Sequence, residues 1–340
     1  MGNPVNPQVT ALVAVSTLLT SISLVIVTTR CVVRFGMMFN SGMDDFMIIG
    51  GLLFTIGYQA VIYVLQLHGG LGIPFMALAF EEIRTFLKAT FAVELLYYGI
   101  LFFVKSSIVF MYHRFAIWKS FRRLCYGTNT LLAALFIISV VTTFTQCTPL
   151  EKIWDITRKL SGTCINTTAF FYFTSGLNIL LDVWILLLPI PTLRSLQISR
   201  HSRYVLYGIF GVGAFATAMS CVRLYSIHIY TEATDPTKDG VLVNLWSMVE
   251  VNVAIVCASI PALKPLISPR RLLDERRKRR GYTSQITEPS HSRKPSRLSN
   301  LSSNNSQSRI VTTISAGSPV RPALVEESSE TSLGLPMHVI

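Results

Sequence analysis

The chain has 340 residues, half of them hydrophobic, and only 14% are charged, against roughly 25% in a water-soluble domain. Its net charge of +12 is gathered at the ends of long apolar runs, where anionic lipid heads attract Lys and Arg, and this excludes nucleic acid as the reading of the charge. What is left is an all-α membrane protein with a polar tail.

A spanning helix takes about 20 mostly apolar residues. Seven segments meet this, roughly 9–29, 45–65, 86–112, 124–146, 167–190, 204–228 and 242–264. None carries the polar stripe that a helix of a soluble bundle turns to water. Residues 1–8 form a short stub ahead of a membrane domain over 9–267. The first run is too long for the core of a signal peptide and is followed by "TTRCVVRF", so it is expected to be a retained span. It ends in Arg30 and Arg34, and the second run opens on Asp44 and Asp45. Carboxylates suit a helix N-terminus, and these four residues form a candidate set of ion pairs at the inner rim.

The third run holds Glu94 and Lys105. The loop after the fourth is bounded by Cys147 and Cys164 and ends in the sequon Asn166-Thr167-Thr168, a candidate glycosylation site. A disulfide is permitted between the two cysteines if the loop is extracellular; two free thiols are the alternative. The fifth run reads "NILLDVWILLLPIP" and places Asp182 in hydrocarbon, with Asn178 one turn away on the same face. The sixth holds Arg223, together with Gly208, Gly211 and Gly213 for close helix contact. The seventh holds Glu250. Cys221 and Cys257 are read as packing residues, and Cys31 and Cys125 as candidates for palmitoylation. A basic segment over 268–280 is expected to lie along the inner leaflet. Residues 281–340 have 14 Ser and one aromatic residue, Tyr282, and are expected to be a disordered cytoplasmic tail. Ser296 and Ser299 lie there behind basic residues as candidate phosphorylation sites.

Loops one, three and five and the near tail hold seventeen Lys and Arg; the other side holds six. The N-terminus is therefore expected outside and the C-terminus in the cytoplasm. Intramembrane charges are costly and should meet partners. At about 1.5 Å per residue, Asp182 lies about 12 Å from the inner face, level with Lys105. The two form a candidate ion pair, with Asn178 extending the polar stripe. Glu94, Arg223 and Glu250 fall in the outer half as a candidate triad lining a ligand pocket. The alternative for all three groups is interhelical packing.

Covalent retinal needs a lysine in the middle of the seventh span, and the only lysine there, Lys264, stands at its end. No cofactor is therefore expected. The DRY and NPxxY motifs of the large animal receptor class are absent. No metal-ligand spacing and no HExxH, GxSxG or Walker loop occurs, so neither a metal nor an enzyme is expected.

Several stretches match one family in order: "RCVVRF", "GMDDFMIIGG", "KSSIVFMYHRF", "TQCTPLEKIWD", "GTC", "NILLDVWILLLPIPTLRSLQIS", "CVRLYS" and "WSMVEVNVAIVCASIPALKPL". The chain resembles, over about 30–270, the fungal rhodopsin-domain integral membrane family, which includes receptor-like surface-sensing proteins of plant-pathogenic fungi. The resemblance implies seven spans and a Cys147–Cys164 bridge. It also draws attention to Arg30, Arg34, Asp44, Asp45, Asp182, Arg223 and Glu250, which fall in the matching stretches. The expected function is a receptor-like protein of the plasma membrane. It would bind an unknown extracellular ligand and signal to a cytoplasmic partner such as a heterotrimeric G protein. A transporter or ion- or proton-translocating protein, and a structural membrane protein, are the alternatives.

Overall fold

The computed structural model describes residues 6–37, 42–115, 118–156, 160–190, 200–232 and 235–267. The basic segment 268–280 and the tail with Ser296 and Ser299 lie outside the described residues. Seven long helices occupy the described segments: α1 (Pro7–Cys31), α2 (Met43–His68), α3 (Phe80–Phe115), α4 (Lys119–Thr145), α5 (Thr167–Leu187), α6 (Arg200–Glu232) and α7 (Pro236–Ile267). Among the described residues six of them, α1 to α5 and α7, are long and apolar enough to cross a membrane. A π-helical turn, Val32–Met37, continues α1.

Most of the helices outrun their apolar runs because polar residues complete their ends. Pro7 opens α1, and the Asn6 side chain accepts from the Gln8 N–H at 3.1 Å, satisfying a donor the helix cannot. Asp45 does the same for α2, accepting from the Gly42 N–H at 3.1 Å. Asn166 caps α5 by accepting from the Ala169 N–H at 3.1 Å. In α3, Glu81 and Glu82 occupy the first turn and Arg114 the last, each complementing the helix dipole.

The helices bury polar side chains alongside their apolar core and leave large apolar side chains exposed. The buried face of α1 is Val9, Leu12, Ser16, Thr20, Ser23, Val27 and Arg30, a stripe at helical spacing whose middle is small hydroxyl residues. Leu18, Ile22 and Val25 on the same helix are exposed. A soluble protein would bury the second set; a bilayer solvates it and leaves the small residues to pack helix on helix. One such approach joins α2 and α3. A Cβ added at Gly51 would stand 2.9 Å from Val104, and one at Gly99 would stand 2.4 Å from Phe54. Of the α6 glycines expected to serve this purpose, Gly213 does face Leu186 closely, but Gly211 faces open space, and Gly208 lies where no side-chain surroundings are described. Two cysteine expectations also change. Cys221 is exposed rather than packed, and Cys125 is fully buried, which does not suit lipidation.

At one end of the bundle a disulfide joins Cys147 and Cys164. It ties a two-stranded antiparallel ribbon, β1 (Cys147–Thr148) with β2 (Thr163–Cys164). The loop it closes rests on α3 through Trp154, whose ring meets Phe91 edge-on at 6.4 Å and lies 5.8 Å from the Lys88 ammonium. At the same end the α2–α3 loop turns on Gly70 and Gly72, with φ of +59° and +81°, values that favour glycine. The Gly72 N–H donates to Thr237 O at 3.0 Å and its carbonyl accepts from Asn6 Nδ2 at 2.9 Å. The starts of α1 and α7 are thereby pinned together.

Candidate functional site

Two charged networks lie inside the bundle. The first stands at the end opposite the disulfide. Arg30 is fully buried and uses all three guanidinium nitrogens: Nε donates to Asp45 Oδ1 at 2.9 Å, Nη2 to Asp44 Oδ2 at 2.7 Å and Nη1 to the Ala258 carbonyl at 2.7 Å. A planar fork is suited to such a site in a way an ammonium is not. Arg34 stands further off, 3.6 Å from Asp44 and 3.9 Å from Asp45. Arg114 adds a contact of 3.7 Å to Asp44, which the pairing expected from sequence did not include. Ser107 donates to the Asp44 carbonyl at 2.7 Å. The cluster therefore joins α1, α2, α3 and α7, not α1 and α2 alone.

The second network lies deeper and joins α3, α5, α6 and α7. Lys105 Nζ lies 2.7 Å from Asp182 Oδ1 and donates to Asn178 Oδ1 and O at 2.6 and 2.9 Å. Asn178 Nδ2 donates to Glu250 Oε1 at 2.9 Å. The Ser220 hydroxyl sits 2.9 Å from Asp182 Oδ2 and 2.6 Å from Glu250 Oε1. Arg223 Nε is 2.8 Å from Glu250 Oε2, a charge contact without the alignment of a hydrogen bond. The same guanidinium donates from Nη2 to Ser175 at 3.2 Å and stacks 4.5 Å from the Tyr97 ring centre. The Tyr97 hydroxyl donates to Glu250 Oε2 at 2.8 Å. Two cations face two carboxylates, and the hydroxyl and amide groups between them take up the remaining lone pairs. Such compensation is what a low-dielectric interior demands.

This differs from the arrangement expected from depth alone. Lys105–Asp182 and Arg223–Glu250 are not separate inner and outer sites; Asn178 and Ser220 weld them into one. Nor does Glu94 join Arg223 and Glu250 as a triad. Its Oε1 accepts from the hydroxyls of Tyr98 at 3.3 Å and Thr143 at 3.2 Å, and among the described residues it forms no ion pair. Height along a helix was readable from the sequence, but direction around its axis was not. Ser220, Ser175 and Tyr97 were missed. Ser220 is one turn from Arg223, which is the signal that would have found it.

Between the network and the disulfide end is a cavity of about 180 Å³. Its floor includes Lys105, Asn178 and Arg223, its wall includes Glu94, and much of the rest is aromatic. A smaller cavity of about 80 Å³ lies on the other side of the network and touches Lys105, Asp182, Ser220 and Glu250. Lys105 borders both. Among the described residues no three His, Cys, Asp or Glu side chains gather as a metal site. Asn166 is exposed at the disulfide end.

A protein from Stachybotrys chartarum, satratoxin biosynthesis SC1 cluster protein 4, is 30% identical over 48% of this chain and 59% of its own length. The receptor GIN3 of Arthrobotrys oligospora is 24% identical over 65% of this chain and 54% of its own. An SAT4 family membrane protein of Emericella nidulans is 29% identical over 61% and 52%. The chain thus spans somewhat more than half the length of these curated relatives. No solved structure matches. The model of the fungal rhodopsin domain matches residues 29–269, a range that takes in every charged residue of both networks. The chain is a multi-pass membrane protein, and it belongs to the fungal rhodopsin domain family.

Proposed function

We propose that the chain is a receptor-like protein of the plasma membrane with seven spans, α6 being the one beyond the six counted above. The disulfide end faces outward, and the C-terminal end faces the cytoplasm, a reading that the bias in Lys and Arg supports. A ligand enters the larger cavity from outside, and the bundle passes the event to a cytoplasmic signalling partner, a heterotrimeric G protein first among them. One observation carries this reading. Lys105, Asn178 and Arg223 border the cavity and are also the groups that hold α3, α5, α6 and α7 together. A molecule in the cavity therefore touches the joints of the bundle. It shifts the balance between two bundle states to the extent that it binds one better. The relative named a receptor supports the same reading. The reading includes no covalent retinal, because the lysines of α7 stand near its ends, at Lys238 and Lys264.

The second cavity favours a competing reading, in which Lys105 and Asp182 relay an ion or proton between the two spaces. The test is to follow G-protein association, second messenger and proton flux in cells carrying Arg223→Ala or Asp182→Asn at matched surface levels. Loss of signalling is the expected result. Loss of flux with signalling intact overturns the receptor reading in favour of translocation. Loss of the protein from the membrane in both variants overturns it in favour of a purely structural network.

A further inference from the structure

We propose that Glu94 is the recognition point of the larger cavity, and that the cavity takes a small aromatic amine: one ring joined by a short arm to a basic nitrogen. This rests on reading the cavity as a ligand pocket. The argument begins with charge. Three formally charged side chains border the cavity: Glu94, Lys105 and Arg223. Both cations already face carboxylates of their own, Asp182 at 2.7 Å and Glu250 at 2.8 Å. Glu94 alone has no counter-charge among the described residues. Its two hydroxyl donors, Tyr98 and Thr143, reach the same oxygen, Oε1. No donor among the described residues reaches Oε2.

A carboxylate in an apolar setting without a cation is costly, and a cationic ligand removes that cost where a neutral one does not. The surroundings point the same way. Phe86, Tyr98, Phe102, Phe136, Phe171 and Tyr230 border the cavity, with Phe102 and Phe136 stacked at 5.0 Å, and aromatic faces attract cations. An anionic ligand finds neither cation unpaired and meets Glu94 besides. Size sets the rest of the ligand. A cavity of about 150 Å³ accommodates a benzene molecule. One of about 180 Å³ therefore accepts one ring and a chain of two or three atoms.

The test uses the full chain in phosphatidylcholine nanodiscs and three probes of similar size: 2-phenylethylamine, 3-phenylpropan-1-ol and 3-phenylpropionate. Affinity is read by calorimetry and by the shift in thermal midpoint. The amine should bind about tenfold or more tighter than the alcohol, as a charge-assisted bond to a buried carboxylate implies. Glu94→Gln keeps an oxygen for Tyr98 and Thr143, and should weaken the amine by about ten- to a hundredfold while leaving the alcohol unchanged. Glu94→Asp retains the charge and should retain the preference for the amine. Equal binding of amine and alcohol, tighter binding of the propionate, or an amine affinity unmoved by Glu94→Gln overturns the assignment while leaving the pocket in place. Binding of no probe at all removes the pocket reading as well. The probe series on the unaltered chain decides the matter even where a variant fails to fold.

Discussion

Replacing Lys105 by Met removes one cation from a network that is balanced two against two, and leaves the Asp182 carboxylate without a counter-charge, its remaining polar neighbour being the Ser220 hydroxyl. With the charges 2.7 Å apart and an effective dielectric of about 20, the attraction lost is about 6 kcal/mol. Desolvation of the two ions offsets part of this, and removing one partner of a buried pair costs about 3–5 kcal/mol net. Asp182→Asn should cost less, because Lys105 keeps the Asn178 carbonyl and side-chain oxygens. The double variant Lys105→Met with Asp182→Leu removes both charges and should lose less than the sum of the two single replacements, by about 1.5–3 kcal/mol. The assay is unfolding by a denaturing detergent, followed by tryptophan fluorescence, for the wild type, both singles (Lys105→Met and Asp182→Leu) and the double. Losses that add to within about 0.5 kcal/mol would refute the reasoning, since independent side chains are what additivity reports.

Arg30→Lys keeps the charge but offers one nitrogen where three are used. It should destabilise the chain by about 2–4 kcal/mol, seen as a fall in the detergent midpoint and in the amount of folded protein recovered. Gly99→Ala places a Cβ 2.4 Å from the Phe54 ring and should cost about 1–3 kcal/mol through overpacking, part of it recovered by adding Phe54→Leu. Asn166 separates two roles. Asn166→Asp keeps an oxygen for the Ala169 N–H and removes the sequon. It should hold its unfolding midpoint, whereas Asn166→Ala should lose about 1 kcal/mol. A gel-mobility shift on deglycosylation of the wild type, absent from both variants, reports the glycan.

The helices were legible because hydrocarbon length is a strong constraint, and each of the seven apolar runs carries one helix. Their ends were not, since a helix continues past the bilayer wherever a cap such as Asn6 or Asn166 takes up its free N–H groups. The level of Lys105 and Asp182 followed from the rise per residue, and the structure places them 2.7 Å apart. Long side chains defeat the same arithmetic elsewhere. Asn178 and Ser220 bridge the step between two expected layers. The direction of Glu94 around α3 depends on helix rotation, which a single sequence does not encode. The contact between Arg114 and Asp44 needed the end of α3 to lie beside the start of α2, and that is a fact of packing rather than of composition.

The two charged networks share α3 and α7. Arg30 and its aspartates fasten α1 and α2 to that pair at one end; Asp182 and Ser220 fasten α5 and α6 to it near the centre. The pair is thus the spine of a book, with α1–α2 and α5–α6 as its covers. Prising α3 from α7 tears both bindings at once. Swinging either cover by itself strains only one, the α5–α6 cover the central network and the α1–α2 cover the one at the end.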